Sequence, residues 1–335
     1  MQTICKKIEL EQIQSGACLW SARYGAGILL LLLMGMGPLL LGATNQLRVL
    51  TSFMPVYCFT VNVAGDLAQV QNLLPGNVGP HEYQPTRSDY DKLAAAQLLV
   101  VNGLKLEEWV QPLLKSRRGR AALTVVEVSV GLESQLIRDV PTLSLEGTTS
   151  REDAHPSHHE VVADANPHIW LDPVLAMHAV TNILLALQRA DPVNASGYAV
   201  NAARYVERLQ RLDGDLRRGL EPFHGVPFVT YHDAFVYFVR RYGLRLVGVI
   251  ESVPEVTPSL RYQGQLKRLI KQQGVKAIFA EPQFPKKIAE QLSADTGVPL
   301  GLLDTLETPV SGVLRPTSYE EGMQNNLRVL LELLK

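Results

Sequence analysis

The chain has 335 residues, enough for about two domains with substantial cores. Its 32 Lys and Arg stand against 33 Asp and Glu, a net charge of −1, so no electrostatic grip on nucleic acid is expected. Neither a long low-complexity tract nor a solenoid repeat is present.

At the start of the chain, Lys6, Lys7 and Arg23 precede the uncharged run GAGILLLLLMGMGPLLLGA, residues 25–43. A basic region, an apolar run and a small residue at Ala43 read as a secretory signal, residues 1–43. The run from Tyr24 to Ala43 approaches the length of a membrane span, but Gly35, Gly37 and Pro38 weaken a spanning helix, so cleavage near Ala43 is expected over an anchor. Cys5 and Cys18 lie in this leader, which leaves Cys58 alone and without a partner for an internal disulfide. Export places the function outside the cytoplasm, in the periplasm.

Short β-branched runs then alternate with helical patterns. Residues 47–53, 97–103 and 123–129 read as buried parallel strands of a first half, with a helix over 88–96 started by Ser88. Residues 227–232, 244–250, 275–281 and 299–304 repeat the strand pattern in a second half, closed by a helix over 318–335 started by Ser318. In the stretch NPHIWLDP, residues 166–173, Pro167 stiffens the backbone before His168, and Asp172-Pro173 caps and starts a helix. Residues 191–221 carry Val200, Ala203, Val206, Leu209, Leu212 and Leu216 at helical spacing, a stiff strut where a Gly/Ser linker would give a loose hinge. The expected fold is therefore α/β: lobes at 44–190 and 222–335, each a mainly parallel sheet flanked by helices, joined by one long rigid helix at 191–221.

His232, Glu281 and Asp304 each end a predicted strand, the address at which open α/β sheets bind ligands. His81 lies in a proline-glycine loop of the first half, where His168 also falls. His81, His168, His232 and Asp304 make a set of three nitrogens and one oxygen, suited to a borderline divalent metal such as zinc held between the halves. His178 on a helix and His224 in a connector read as structural. The loop at 146–165, with His155, His158 and His159 among acids, reads either as a solvated loop or as an aid to metal capture.

The loop PGNVGPHEYQPTRSD, then NPHIWLDP, YHDAFVYF and FAEPQF resemble, in order along the whole mature chain, the zinc- and manganese-binding proteins of ABC importers, the cluster A-I solute-binding family. That resemblance implies two α/β lobes, a metal in the cleft between them, and a membrane ABC permease as partner. By position it implies His81, His168 and His232 as nitrogen ligands and Asp304 as the carboxylate; Glu281 matches no ligand and reads as a supporting or helix-capping group. Histidine at 232 resembles the zinc-type pattern, with Mn2+ as the alternative to Zn2+. The expected protein is a monomeric receptor and not an enzyme. A zinc hydrolase is the main rival, but HEYQP lacks the helical H-E-x-x-H signature; an adhesion protein on the same scaffold is the other.

Overall fold

A computed structural model of the chain describes residues 46–76, 78–81, 83–116, 123–138, 164–251, 258–309 and 312–335. The expected leader and the histidines His155, His158 and His159 lie outside the described residues. Among the described residues no helix is long and apolar enough to cross a membrane.

The first lobe runs β1 (Leu47–Thr51), α1 (Met54–Ala64), β2 (Ala68–Asn72), α2 (Arg87–Ala95), β3 (Leu98–Val101), α3 (Val110–Ser116), β4 (Thr124–Glu127) and α4 (Pro173–Ala190). After the connecting helix α5 (Ala195–Leu220) the second lobe runs β5 (Pro227–Thr230), α6 (Val236–Tyr242), β6 (Arg245–Val249), α7 (Leu260–Gln272), β7 (Ala277–Ala280), α8 (Lys287–Thr296), β8 (Leu300–Leu302) and α9 (Ser318–Leu333). The sheets are parallel throughout, in the orders β2-β1-β3-β4 and β6-β5-β7-β8. The expected class, two α/β lobes with a long helix between them, is the one the chain adopts.

Local chemistry accounts for most boundaries. All four residues of β3, Leu-Leu-Val-Val, are buried, as a parallel strand covered on both faces requires. Asp172 caps α4 by accepting from Val174 N at 2.8 Å, with Pro173 in the first turn. Helix α2 starts one residue before the expected Ser88, because Thr86 and Asp89 form a capping box that satisfies two helix-end donors at once. Strand β2 has no counterpart in the sequence reading. Its residues AQVQN alternate exposed glutamines with small or half-buried groups at a sheet edge, so no apolar run announces it.

Helix α5 also starts later than Asp191-Pro192 suggests. Pro192–Asn194 form a 3-10 turn, and Asp191 Oδ2 accepts from Asn194 Nδ2 and from Tyr198 OH, which fixes the entry angle. The 26 residues of α5 extend about 39 Å at roughly 1.5 Å per residue. It packs on α1, α4 and α9, and so touches elements of both lobes. Gly197 lets the first turn of α5 lie against Leu67, in the turn that follows α1: a Cβ there would lie 2.5 Å from Leu67 Cδ1.

Trp170 ties the lobes together. Its Nε1 donates to Thr305 O at 2.7 Å, its own carbonyl accepts from Tyr319 OH at 2.7 Å, and its ring meets Phe53 edge-on at 4.8 Å between centroids. Trp170→Phe keeps an aromatic ring but leaves the buried Thr305 carbonyl without its donor. The expected loss of unfolding free energy is about 1–3 kcal/mol. Urea titration followed by circular dichroism checks it, and an unchanged midpoint would show that the hydrogen bond contributes nothing net.

Candidate metal centre

Each sheet changes direction of chain progress between its two central strands, and the crevice beyond their carboxyl ends is where open α/β sheets place ligands. In the second lobe that crevice holds His232, two residues beyond β5, and Glu281, directly after β7. Glu281 Oε1 accepts from His232 Nδ1 at 2.7 Å and from His232 N at 3.2 Å. In the first lobe the same crevice is closed by Glu107, which accepts from Ser52 Oγ after β1 and from the Asn102 and Gly103 amides after β3. Burial pushes the Glu107 carboxyl up to about 7.

Asn102 carries this frame to the next segment by donating to Pro167 O at 3.0 Å. Asn166 then orients His168: its Oδ1 accepts from His168 N at 3.1 Å and from His168 Nδ1 at 3.0 Å, while its Nδ2 donates to Asp233 O of the other lobe at 3.1 Å. An amide serves here because it accepts on one side and donates on the other. With Nδ1 carrying the proton, His168 presents the Nε2 lone pair to the cleft. His81 arrives on its loop, anchored where Trp109 Nε1 donates to the Pro80 carbonyl at 2.8 Å.

The three rings converge. His168 Nε2 and His232 Nε2 are 3.1 Å apart, and the ring centroids of His81 lie 5.3 and 5.9 Å from those of His168 and His232. The carboxylate that stands with them is Glu307. Its Oε1 lies 3.2 Å from His81 Nε2, 3.4 Å from His168 Nε2 and 3.8 Å from His232 Nε2. One donor atom from each of His81, His168, His232 and Glu307 falls within 4.8 Å of all the others. The expectation that Asp304 supplies the oxygen does not match this placement. Asp304 lies outside the group, with Oδ1 turned to accept from Leu306 N at 2.8 Å and Oδ2 buried without a hydrogen-bond partner among the described residues. Asp304 is the carboxylate nearest the predicted strand end; the second acid of DTLETP, three residues on, is the sequence signal for Glu307. His178 Nε2 donates to the Val130 carbonyl at 2.7 Å, and neither it nor His224 joins the cluster.

Burial by itself would depress both inner rings. It prevails at His168, which is held at about 4 in spite of its contact with Glu307. At His232 burial is outweighed by the charges of Glu281 and Glu307, and the ring is pushed up to about 9. Burial would likewise raise Glu307, but its close contacts with the His168 and His81 rings and the charge of His232 hold it well below the usual carboxylate range. The 3.1 Å contact between the two Nε2 atoms suits a hydrogen bond from His232 to His168, whose own proton sits on Nδ1 against Asn166. The two inner rings are thus driven in opposite directions. Three imidazoles and one carboxylate, directed at a common centre, fit the tetrahedral preference of Zn2+.

A family model described as the periplasmic component A of the zinc-uptake complex matches residues 49–333. The chain is 32% identical over 264 residues to the high-affinity zinc uptake system protein ZnuA of Bacillus subtilis, covering 78% of this chain and 79% of that protein. It is 31% identical over 294 residues to the zinc-binding lipoprotein AdcA of Streptococcus pneumoniae, covering 86% of this chain and 56% of the relative, so it spans little more than half of AdcA. The structure of the solute-binding protein FpvC from Pseudomonas aeruginosa in complex with Mn2+ superposes with a TM-score of 0.71 at 26% identity, over 86% of this chain and 97% of FpvC.

The opposed shifts predict how the metal-free protein responds to pH. His232 titrates higher folded than the unfolded value of about 6.5, so its stabilisation is complete below that pH and is lost as pH rises through about 9. His168 titrates lower when folded, so its contribution is complete above about 6.5 and is lost as pH falls towards 4. Chelator-treated protein should lose stability from pH 6.5 to 9 in urea titrations, and His232→Gln should flatten that limb. A wild-type midpoint that does not move across this range would contradict the assignment.

Proposed function

This chain belongs to the family of periplasmic zinc-uptake components, and on that premise we propose that it is an extracytoplasmic receptor that captures Zn2+ between its lobes and delivers it to a membrane ABC permease. The observation that carries the reading is the convergence of four donor atoms from both lobes on one buried centre. In this reading His81, His168, His232 and Glu307 are the ligands. Glu281 and Asn166 hold the His232 and His168 rings so that Nε2 faces the ion, the task that outer hydrogen bonds perform for metal-bound histidines. The site draws all four donors from a single chain, which supports action as a monomer in the periplasm.

Capture here needs no catalysis. A catalytic zinc usually keeps an open position for water or substrate, whereas four protein donors fill a tetrahedron. Capture is instead an exchange of charge. The ion replaces the proton that His232 carries in the metal-free cleft and takes over its role of balancing Glu307 and Glu281.

Two measurements test this. Alanine at His81, His168, His232 or Glu307 should weaken zinc binding by more than the roughly 10–100-fold that loss of an outer hydrogen-bond partner costs, with the fold retained. Calorimetry shows it, and wild-type affinity in any two of the four would remove the site. Calorimetry at pH 7.5 in buffers of different ionisation enthalpy should also show about one proton released per zinc, the proton of His232. In direct competition Zn2+ should bind more tightly than Mn2+, as nitrogen-rich sites do; tighter manganese binding would count against a centre of three imidazoles.

A further inference from the structure

Glu307 reaches the cleft only because the chain bends one residue before it. Leu306 has φ +62°, in the left-handed region that leucine rarely adopts. Asp304 Oδ1 accepts from Leu306 N at 2.8 Å, an aspartate turn that closes the bend from inside. Helix α9 braces it at two points one helical turn apart. Asn326 grips the Asp304 backbone on both sides, with Oδ1 accepting from Asp304 N at 2.9 Å and Nδ2 donating to Asp304 O at 2.7 Å. Gly322 leaves the space that the Leu306 side chain fills; a Cβ there would collide with Leu306 Cδ2. Between them Thr305 is fixed through its carbonyl by Trp170 Nε1 and through its hydroxyl by Gln283 Nε2, each at 2.7 Å. Asp304, Thr305, Leu306 and Asn326 are all buried, so this bend is part of the core.

A strained residue persists where its surroundings over-determine it, and such residues gather at functional sites. We propose that Asp304 is a positioning residue for Glu307: its side-chain oxygen holds Leu306 in the left-handed bend, and α9, through Asn326 and Gly322, holds the bend against the cleft. The proposal rests on the reading of His81, His168, His232 and Glu307 as the zinc-binding set. It gives Asp304 a task that needs an acceptor oxygen and no charge, which separates it from a metal ligand.

The test compares Asp304→Asn, Asp304→Ala, Gly322→Ala and Glu307→Ala in the full chain, by zinc affinity against a competing chelator and by the visible absorption of the Co2+-loaded protein. The asparagine variant keeps an acceptor at Oδ1 and should bind zinc close to wild type with an unchanged Co2+ spectrum. The Asp304→Ala variant should bind about 10–100-fold more weakly and give an altered spectrum, with Gly322→Ala shifted in the same direction. Affinity in Asp304→Asn as weak as in Glu307→Ala would make Asp304 a ligand and overturn the proposal. Wild-type affinity and spectrum in Asp304→Ala would overturn it too. Should that variant fail to fold, the same wild-type result in Gly322→Ala overturns it. Wild-type affinity in Glu307→Ala would instead remove the zinc site itself, and this proposal with it.

Discussion

A carboxylate buried among imidazoles demands a compensating positive charge, and that demand organises the cleft. Glu307 is 2% exposed and Glu281 1%. An isolated carboxylate at such depth would neutralise itself. On the reading proposed above, that cation is a proton on His232 in the metal-free cleft, and the captured ion takes its place. The outer hydrogen bonds serve this exchange. Glu281 faces Nδ1 of His232 and Asn166 faces Nδ1 of His168, so in both rings the nitrogen left for the centre is Nε2.

The lobes have little freedom to part. Trp170 with Thr305, Asn166 with Asp233, and Tyr237 OH with Asn166 O bridge them beside the site. Farther out, Arg241 of α6 lies between Asp172, which caps α4, and Asp213 on α5, at 3.1 and 3.3 Å. On the other side Asn62 of α1 donates to Pro316 O, and Arg208 of α5 bridges Asn62 and Glu320. Cys58, buried with its thiol against the Arg315 carbonyl and pushed up to about 12, is a packing residue of the same seam and a poor nucleophile. A helix packed against both lobes along its length favours small tilts over wide hinge motion.

What the sequence disclosed follows from how local each feature is. Strands such as β3 and β7 are written in a few consecutive buried residues, and the Asp172-Pro173 start of α4 in a single pair. The three histidines were legible because strand ends and a proline-stiffened turn are local too. Strand β2 was hidden because an edge strand pairs through its backbone and its side chains need not be apolar. Glu307 was hidden for a different reason. Whether residue 304 or residue 307 faces the cleft depends on the handedness of Leu306, and that is settled by a glycine and an asparagine of α9, sixteen and twenty residues downstream. The polarity of the segment announced a carboxylate; only tertiary contacts select which one.

His81 differs from its three companions. Its side chain is 22% exposed, against 3% or less for His168, His232 and Glu307. The centre therefore has a wet side and a dry side. On the reading proposed above, an ion held there would be reached first from the His81 side, where an incoming ligand would meet the most exposed of the four donors. Transfer to an acceptor would then run, in the proposed receptor, as an associative hand-over in which the acceptor's own donor enters as His81 withdraws. The speed of such a hand-over would be set by the chemistry of the acceptor as much as by the tightness of the cleft, so a receptor with a very stable complex need not be a slow one.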